Sequence, residues 1–249
     1  MTTQFSVSFS SPEAAGRWAK GLLLATLVLA AVGVVSGLLQ VELLSRAASG
    51  GISAAEAAAN DSRQHLIALL KVLLFVGTAV AFLIWFHRAH KNLPILGSRE
   101  LLYTPGWAVG GFFVPFLNLV RPFQVMREVW HGSNPARLER DAAAGSPAIG
   151  GHLGTPSLVG WWWALFLVSN FVGYSVARMG FSQGQTLGQL QDLSRLLVFS
   201  DVLDIPSALV AIRLVGRITS WQVERARLVH QRGSQPPAAP AVGSFSVTS

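Results

Sequence analysis

The stretch Gly106-Trp107-Ala108-Val109-Gly110-Gly111-Phe112-Phe113-Val114-Pro115-Phe116-Leu117-Asn118-Leu119-Val120 decides the fold, because the number of membrane crossings turns on it. Its 15 residues are apolar enough to enter lipid. As a helix they would rise only about 22 Å, against a hydrocarbon core of about 30 Å. Pro115 and Asn118 interrupt the run and Pro122 follows it. Residues 105–131 therefore read as a short, broken re-entrant or interfacial helix and not as a span.

Outward from it lie four stretches of the length that a bilayer requires, roughly 20 mostly apolar residues. They are 21–44, 66–86, 158–177 and 196–216. Backbone groups cannot stay unpaired in lipid, so all four are expected to be helices. The expected fold is an all-α integral membrane protein with four transmembrane helices plus the broken segment. Composition agrees: 51% of residues are hydrophobic and only 12% charged, about half the charge of an average soluble domain. A 24-residue first run is too long for a signal-peptide core of about 7–15 residues, and it reads as an uncleaved anchor.

Charge placement separates four spans from five. With four spans and a cytoplasmic N-terminus, 14 Lys and Arg residues fall inside. Four fall outside (Arg46, Arg63, Arg178 and Arg195), and Lys71 lies within a span. If 106–120 crossed, the later segments would flip and the balance would become 7 inside against 11 outside. The positive-inside rule selects four spans with both termini cytoplasmic. All eight tryptophans would then sit near the inner face, where indole favours the headgroup layer.

Residues 1–16 and 233–249 read as disordered tails around a membrane domain at 17–232, and 132–156, rich in Gly, Pro and Ala, as a flexible cytoplasmic loop. An Ala-rich stretch, 52–59, predicts a short helix in the first outer loop, with Asn60-Asp61-Ser62 as N-cap candidates for the second span. Residues 218–232, with Arg225, Arg227 and Arg232 among apolar residues, read as an amphipathic helix on the anionic inner leaflet. The net charge of +7 is thus assigned to the lipid surface and not to nucleic acid.

The most distinctive sequence runs from Trp85 to Trp130. It reads Trp85-Phe86-His87-Arg88-Ala89-His90-Lys91-Asn92-Leu93, then Tyr103-Thr104-Pro105-Gly106-Trp107, Phe113-Val114-Pro115, Asn118-Leu119, Arg121-Pro122 and Met126-Arg127-Glu128-Val129-Trp130. With Trp161-Trp162-Trp163-Ala164-Leu165 and Val168-Ser169-Asn170, this resembles the bacterial multi-pass membrane family called domain of unknown function 4328, over roughly 66–216. The resemblance implies a bacterial integral membrane protein with a helical bundle, and no established activity, substrate or cofactor.

The residues themselves carry physical expectations. Pro105 suits the first turn of a helix, where its missing N–H is harmless. Gly106 and Gly110, flanking Trp107, form a small-xxx-small face that permits close helix contact. Pro115 should kink its segment. Pro122 restarts a helix that carries Arg127, Glu128 and Trp130 along the interface. Arg88, Asn92, Asn118 and Glu128 are expected to line a cytoplasm-facing polar pocket. His87 and His90 read as a snorkelling interfacial pair and not as metal ligands.

Three charges fall inside spans. Lys71 and Asp201 lie at matched depth, about 7–8 Å from the outer ends of their helices at about 1.5 Å per residue. Asp204 is one turn deeper, and Pro206 would free a carbonyl nearby. An unpaired charge within a span costs about 2.5–3.5 kcal/mol, so Lys71 is expected to pair with one of the two aspartates.

Catalytic patterns are missing. The chain has no cysteine, no HExxH, no phosphate-binding glycine loop and no nucleophile elbow, so the sequence supports neither an enzyme, a metal site nor a bound cofactor. The leading expectation is a non-enzymatic protein that presents a cytoplasm-facing site to a protein partner, a second copy of the chain or a lipid headgroup. The alternative is a small transporter or channel-like protein built on Lys71, Asp201 and Asp204. A lipid-modifying membrane enzyme is the third.

Overall fold

A computed structural model describes residues 9–98, 101–138, 156–180 and 186–234, and among these every regular element is a helix. Helix α1 spans Glu13–Ala48 and α2 spans Ala54–Lys91. The segment read as broken is broken: α3 (Pro105–Gly110), a run of turns, a 3-10 turn at Leu117–Leu119, and α4 (Arg121–Ser133). Helix α5 is Ser157–Gly180 and α6 is Leu187–Ser234.

Three helices, α1, α2 and α5, are long and apolar enough to cross a membrane. Stretch 196–216 lies inside the 48-residue α6, which continues without a break through 218–232. Helix α6 packs along α1 on one flank and α5 on another, and α1 also packs on α2. Leu24, Val28 and Val35 of α1 and Leu69, Leu73 and Val76 of α2 are exposed, whereas Ala19, Ala30, Gly33, Ser36 and Gly37 are buried. Large apolar residues outside and small ones inside is the arrangement of helices in lipid, which gain by close approach and not by escape from water.

The local signals explain most element ends. Ser53 caps α2: its hydroxyl accepts the Glu56 N–H at 3.2 Å, and the Glu56 carboxylate accepts the Ser53 N–H at 2.8 Å. This capping box starts the helix in the Ala-rich stretch, seven residues before Asn60, so the predicted cap at 60–62 does not form. The Ser53 N–H, the Arg46 guanidinium and the Ser53 hydroxyl together hold the exposed Glu56 carboxyl at about 2, below its usual 4.5. Helix α1 begins at Glu13, inside the stretch read as tail. The loop expected at 132–156 and the C-terminal tail lie largely outside the described residues, at 139–155 and 235–249. Phe116, directly after Pro115, has φ 65° and is 84% exposed. The proline thus breaks the segment outright and does not merely kink it.

The half of the bundle around the C-terminal end of α2 is an aromatic core. Trp85 and Phe86 are fully buried. Phe82 stacks 5.9 Å from Trp162, Phe112 meets Phe86 edge-on at 6.0 Å, and Trp163 stacks 5.1 Å from Phe166. Helices α2 and α5 and the turn after α3 thereby interlock. Trp85, Trp162 and Trp163 are core residues and not members of an interfacial belt, whereas Trp18, Trp107 and Trp161 are exposed.

The α1–α6 seam depends on glycine. A methyl at Gly16 would lie 2.8 Å from the Thr219 hydroxyl, and one at Gly37 would collide with the Val198 side chain. One at Gly33 would collide with the Asp201 carboxylate and the Lys71 ammonium. Gly33 and Gly37 are the true small-xxx-small pair. At Gly106 and Gly110 a methyl would meet only ordinary contacts from Thr104 and Trp107, so those two glycines mediate no close helix approach. Gly33→Ala is expected to lower stability by about 1–3 kcal/mol through overpacking. Gly21→Ala, with nothing within 4 Å, should leave it unchanged or raise it. Thermal unfolding in detergent measures both, and equal melting temperatures would contradict the close α1–α6 approach.

Candidate functional site

Helix periodicity brings the three intramembrane charges to one level of the bundle. Lys71 of α2 forms an ion pair with Asp201 of α6, passing over Gly33 of α1. Asp201 is almost fully buried, at 4% side-chain exposure, while Lys71 is 33% exposed. Asp204, one turn along α6, faces the Ser169 hydroxyl of α5. Ser169 meets the Ser207 hydroxyl at 3.2 Å. The lysine therefore has one carboxylate partner, and the second carboxylate lies beside a hydroxyl. Pro206 is exposed, as is Val202 one turn before it. The carbonyl freed by Pro206 thus belongs to the outer flank of α6 and not to the cluster.

A cavity of about 200 Å³ opens beside the pair, between α1, α2 and α6. Its wall is mostly apolar, formed by Gly33, Gly37, Ile67, Ala68 and Leu197, with polar groups contributed by Gln40, Gln64, His65, Lys71 and Asp201. It lies toward the end of the bundle that carries the α1–α2 connection, where Gln191 of α6 donates to the Leu44 carbonyl at 3.3 Å. Its rim is braced. Arg63 Nε donates to the Ser36 hydroxyl at 3.0 Å and Gln64 Nε2 to the Ser36 carbonyl at 3.1 Å. Arg63 also donates to Asn60 at 2.7 Å, so Asn60 serves the rim and not a helix cap.

The four residues expected to form a cytoplasmic pocket are not brought together. Asn92 is buried; it accepts the Ser10 N–H at 3.3 Å and donates to the Ser10 carbonyl at 2.9 Å and to Gln222 at 3.0 Å. Gln222 in turn donates to the Ala89 carbonyl at 2.7 Å and to Ser133 at 3.0 Å. Glu128 is buried in a second cluster, accepting the Leu102 N–H at 2.7 Å and facing His90 Nε2 at 3.2 Å. Arg88 and Asn118 are half-buried and join neither cluster. These contacts tie the end of α2 to α4 and α6 and leave no open polar pocket among the four.

His90 is fully buried, so the pair with His87 does not snorkel at the interface. Burial, followed by the nearby Lys91, His90 and Arg88, lowers the pKa of His87. Arg225 is a second correction. It does not lie on the leaflet surface but is fully buried, donating to the Leu96 carbonyl at 2.7 Å and the Asn134 carbonyl at 2.8 Å. Those carbonyls lie at the ends of the post-α2 turn and of α4, where helix geometry supplies no partner. Trp85 Nε1 donates to Thr219 at 3.0 Å and completes the α2–α6 tie. Among the described residues no three His, Asp or Glu side chains gather as metal ligands.

Gly33, Gly37, Gln222 and Thr219 are not singled out by the sequence patterns, and Arg225 is singled out only as a surface residue. The four-residue spacing of Gly33 and Gly37 was available as a signal. The others lie in a stretch whose alternation of apolar and polar residues fits a buried seam as well as a leaflet surface.

The family model described as Domain of unknown function (DUF4328) matches residues 48–220, and the chain belongs to that family. No curated protein and no solved structure matches the chain. Lys71, Asp201, Asp204 and all of the inner polar network except Ser10, Gln222 and Arg225 lie within the matched region.

The ion pair yields a direct expectation. Lys71→Ala and Asp201→Ala each leave one charge without its partner in a low-dielectric site, which costs about 2.5–3.5 kcal/mol on insertion scales. The double variant should lose less than the sum of the two. Unfolding in detergent or bicelles gives the coupling energy, and additive losses would contradict the pairing.

Proposed function

We propose that the protein is a four-span bacterial inner-membrane protein with both termini cytoplasmic, and that it takes up a small polar solute from the outer side into the Lys71–Asp201 cavity, as a small transporter does. The observation that carries this reading is an ion pair, its carboxylate buried and its ammonium one-third exposed, in the wall of an open cavity of about 200 Å³. An ion pair within a bilayer that water can reach is the usual mark of a substrate or ion pathway. Helix α6 serves as the fourth span because it packs along α1 and α5, both long and apolar enough to cross. Its aspartates lower its hydropathy but face the bundle. The distribution of Lys and Arg supports the orientation. The aromatic core at the opposite end of the bundle from the cavity acts as the inner closure.

The partner-docking reading draws no support from Asn92 and Glu128, whose polar atoms are engaged within the fold.

The absence of cysteine makes the test simple. Ala68→Cys and Leu197→Cys, on facing walls of the cavity, should react with a membrane-impermeant maleimide added to the outside of intact cells. Leu39→Cys, 48% exposed on the outer flank of α1, should react far more slowly because a thiol in lipid stays protonated. Ser220→Cys should react only after the cells are opened. Cavity cysteines that stay unlabelled, or that react only from the cytoplasm, would overturn the reading.

A further inference from the structure

We propose that the cavity takes a small monovalent carboxylate, of the size of acetate or lactate, and that its binding is accompanied by a proton that goes to Asp201. This rests on the reading of the cavity as a solute site and adds the class of solute and its coupling.

A solute that enters meets Lys71 first. The lysine side chain is 33% exposed, whereas that of Asp201 is 4% exposed and lies behind the ammonium, against Gly33. The other polar groups of the wall are Gln40 and His65, which can donate hydrogen bonds, and Gln64, whose amide is engaged by Ser36; no residue of the wall other than Asp201 is acidic. A cation would meet an ammonium at the entrance; an anion meets a cation flanked by donors. The volume, about 200 Å³, is below the roughly 300–1,000 Å³ of pockets for drug-sized ligands. It fits a solute of a few heavy atoms.

The coupling follows from which charges face Asp201. From α2 comes Lys71, with His65 the other titratable group of the same wall. From α1 come Gly33, Gly37 and Gln40, none of them charged. On α6 itself the neighbour is Asp204, a second carboxylate, whose partner on α5 is the Ser169 hydroxyl. A carboxylate solute that draws the Lys71 ammonium to itself leaves Asp201 buried without a cation and close to a like charge. Both conditions favour its protonated form. The proton comes from the water of the cavity and forms an O–H bond on the Asp201 carboxylate, so one negative charge and one proton enter together. The total charge of the cluster is unchanged.

The full-length protein in nanodiscs provides the test, with sodium acetate and sodium lactate as probes in a gluconate background. Ethylammonium serves as the cationic counterpart of similar size. Acetate and lactate should slow maleimide labelling of Ala68→Cys, and ethylammonium should not. Calorimetry in two buffers of different ionisation enthalpy should show about one proton taken up per acetate bound. Asp201→Asn should keep the protection by acetate and lose the proton uptake. Lys71→Met should lose the protection. The neutral double variant, Lys71→Met with Asp201→Asn, leaves no unpaired charge to unfold the bundle, and it should lose both. Protection by ethylammonium and not by acetate, or acetate binding without proton uptake in the unmodified pair, would overturn the proposal. A thiol at position 68 that does not react even without solute would instead overturn the cavity itself.

Discussion

Helix α1 can approach α6 closely only where it has no side chains, and the rest of the outer half follows from that approach. Gly33 and Gly37 remove the obstacle, and the Lys71 ammonium reaches Asp201 across the bare face of Gly33. Three helices are thereby joined at one level by a single ion pair. In lipid this matters more than in water. Apolar burial contributes little to helix association there, so dispersion between closely packed backbones and a few polar contacts must do most of it. Ser36, buried next to the glycines, extends the same logic outward by accepting bonds from both Arg63 and Gln64.

The inner half is held by different means. Large rings from α2, α5 and the turn after α3 fill the space that small residues close in the outer half. Beyond the rings, Asn92, Gln222, Ser133 and Arg225 satisfy the backbone at the ends of α2 and α4. Each polar group has a partner from another element, the condition under which buried polar networks fix one arrangement. One end of the bundle is consequently dense and cross-bonded between elements, while the other encloses a cavity.

What the sequence makes legible is what the bilayer dictates. Helix identity, the broken segment between Pro105 and Pro122, and the matched depth of Lys71 and Asp201 all follow from length and a rise of about 1.5 Å per residue. Partnership is harder to read. Asn92 and Glu128 are polar residues at the inner end of a span, and nothing local distinguishes a group that faces water from one that faces Ser10 or His90. Arg225 posed the same ambiguity between a leaflet surface and a buried seam. The tryptophans were assigned by residue type to headgroups, yet Trp85, Trp162 and Trp163 are packed by their neighbours into a core. Gly106 and Gly110 have the spacing of a helix-contact face, but their helix is too short to present one. Gly33 and Gly37 have it on a helix with a partner.

The persistence of the Lys71–Asp201 pair is itself informative. Burying two charges has a desolvation penalty of several kcal/mol per ion, and well-packed apolar residues of similar volume often give equal or greater stability. A seam already closed by glycines does not require an ion pair to hold it together. What an apolar contact cannot do is exchange its partner. An ammonium one-third exposed to the cavity, with its carboxylate sheltered behind it and a second carboxylate one turn away, can release one anion and accept another. That capacity, and not rigidity, is the property that distinguishes this level of the bundle from the aromatic core below it.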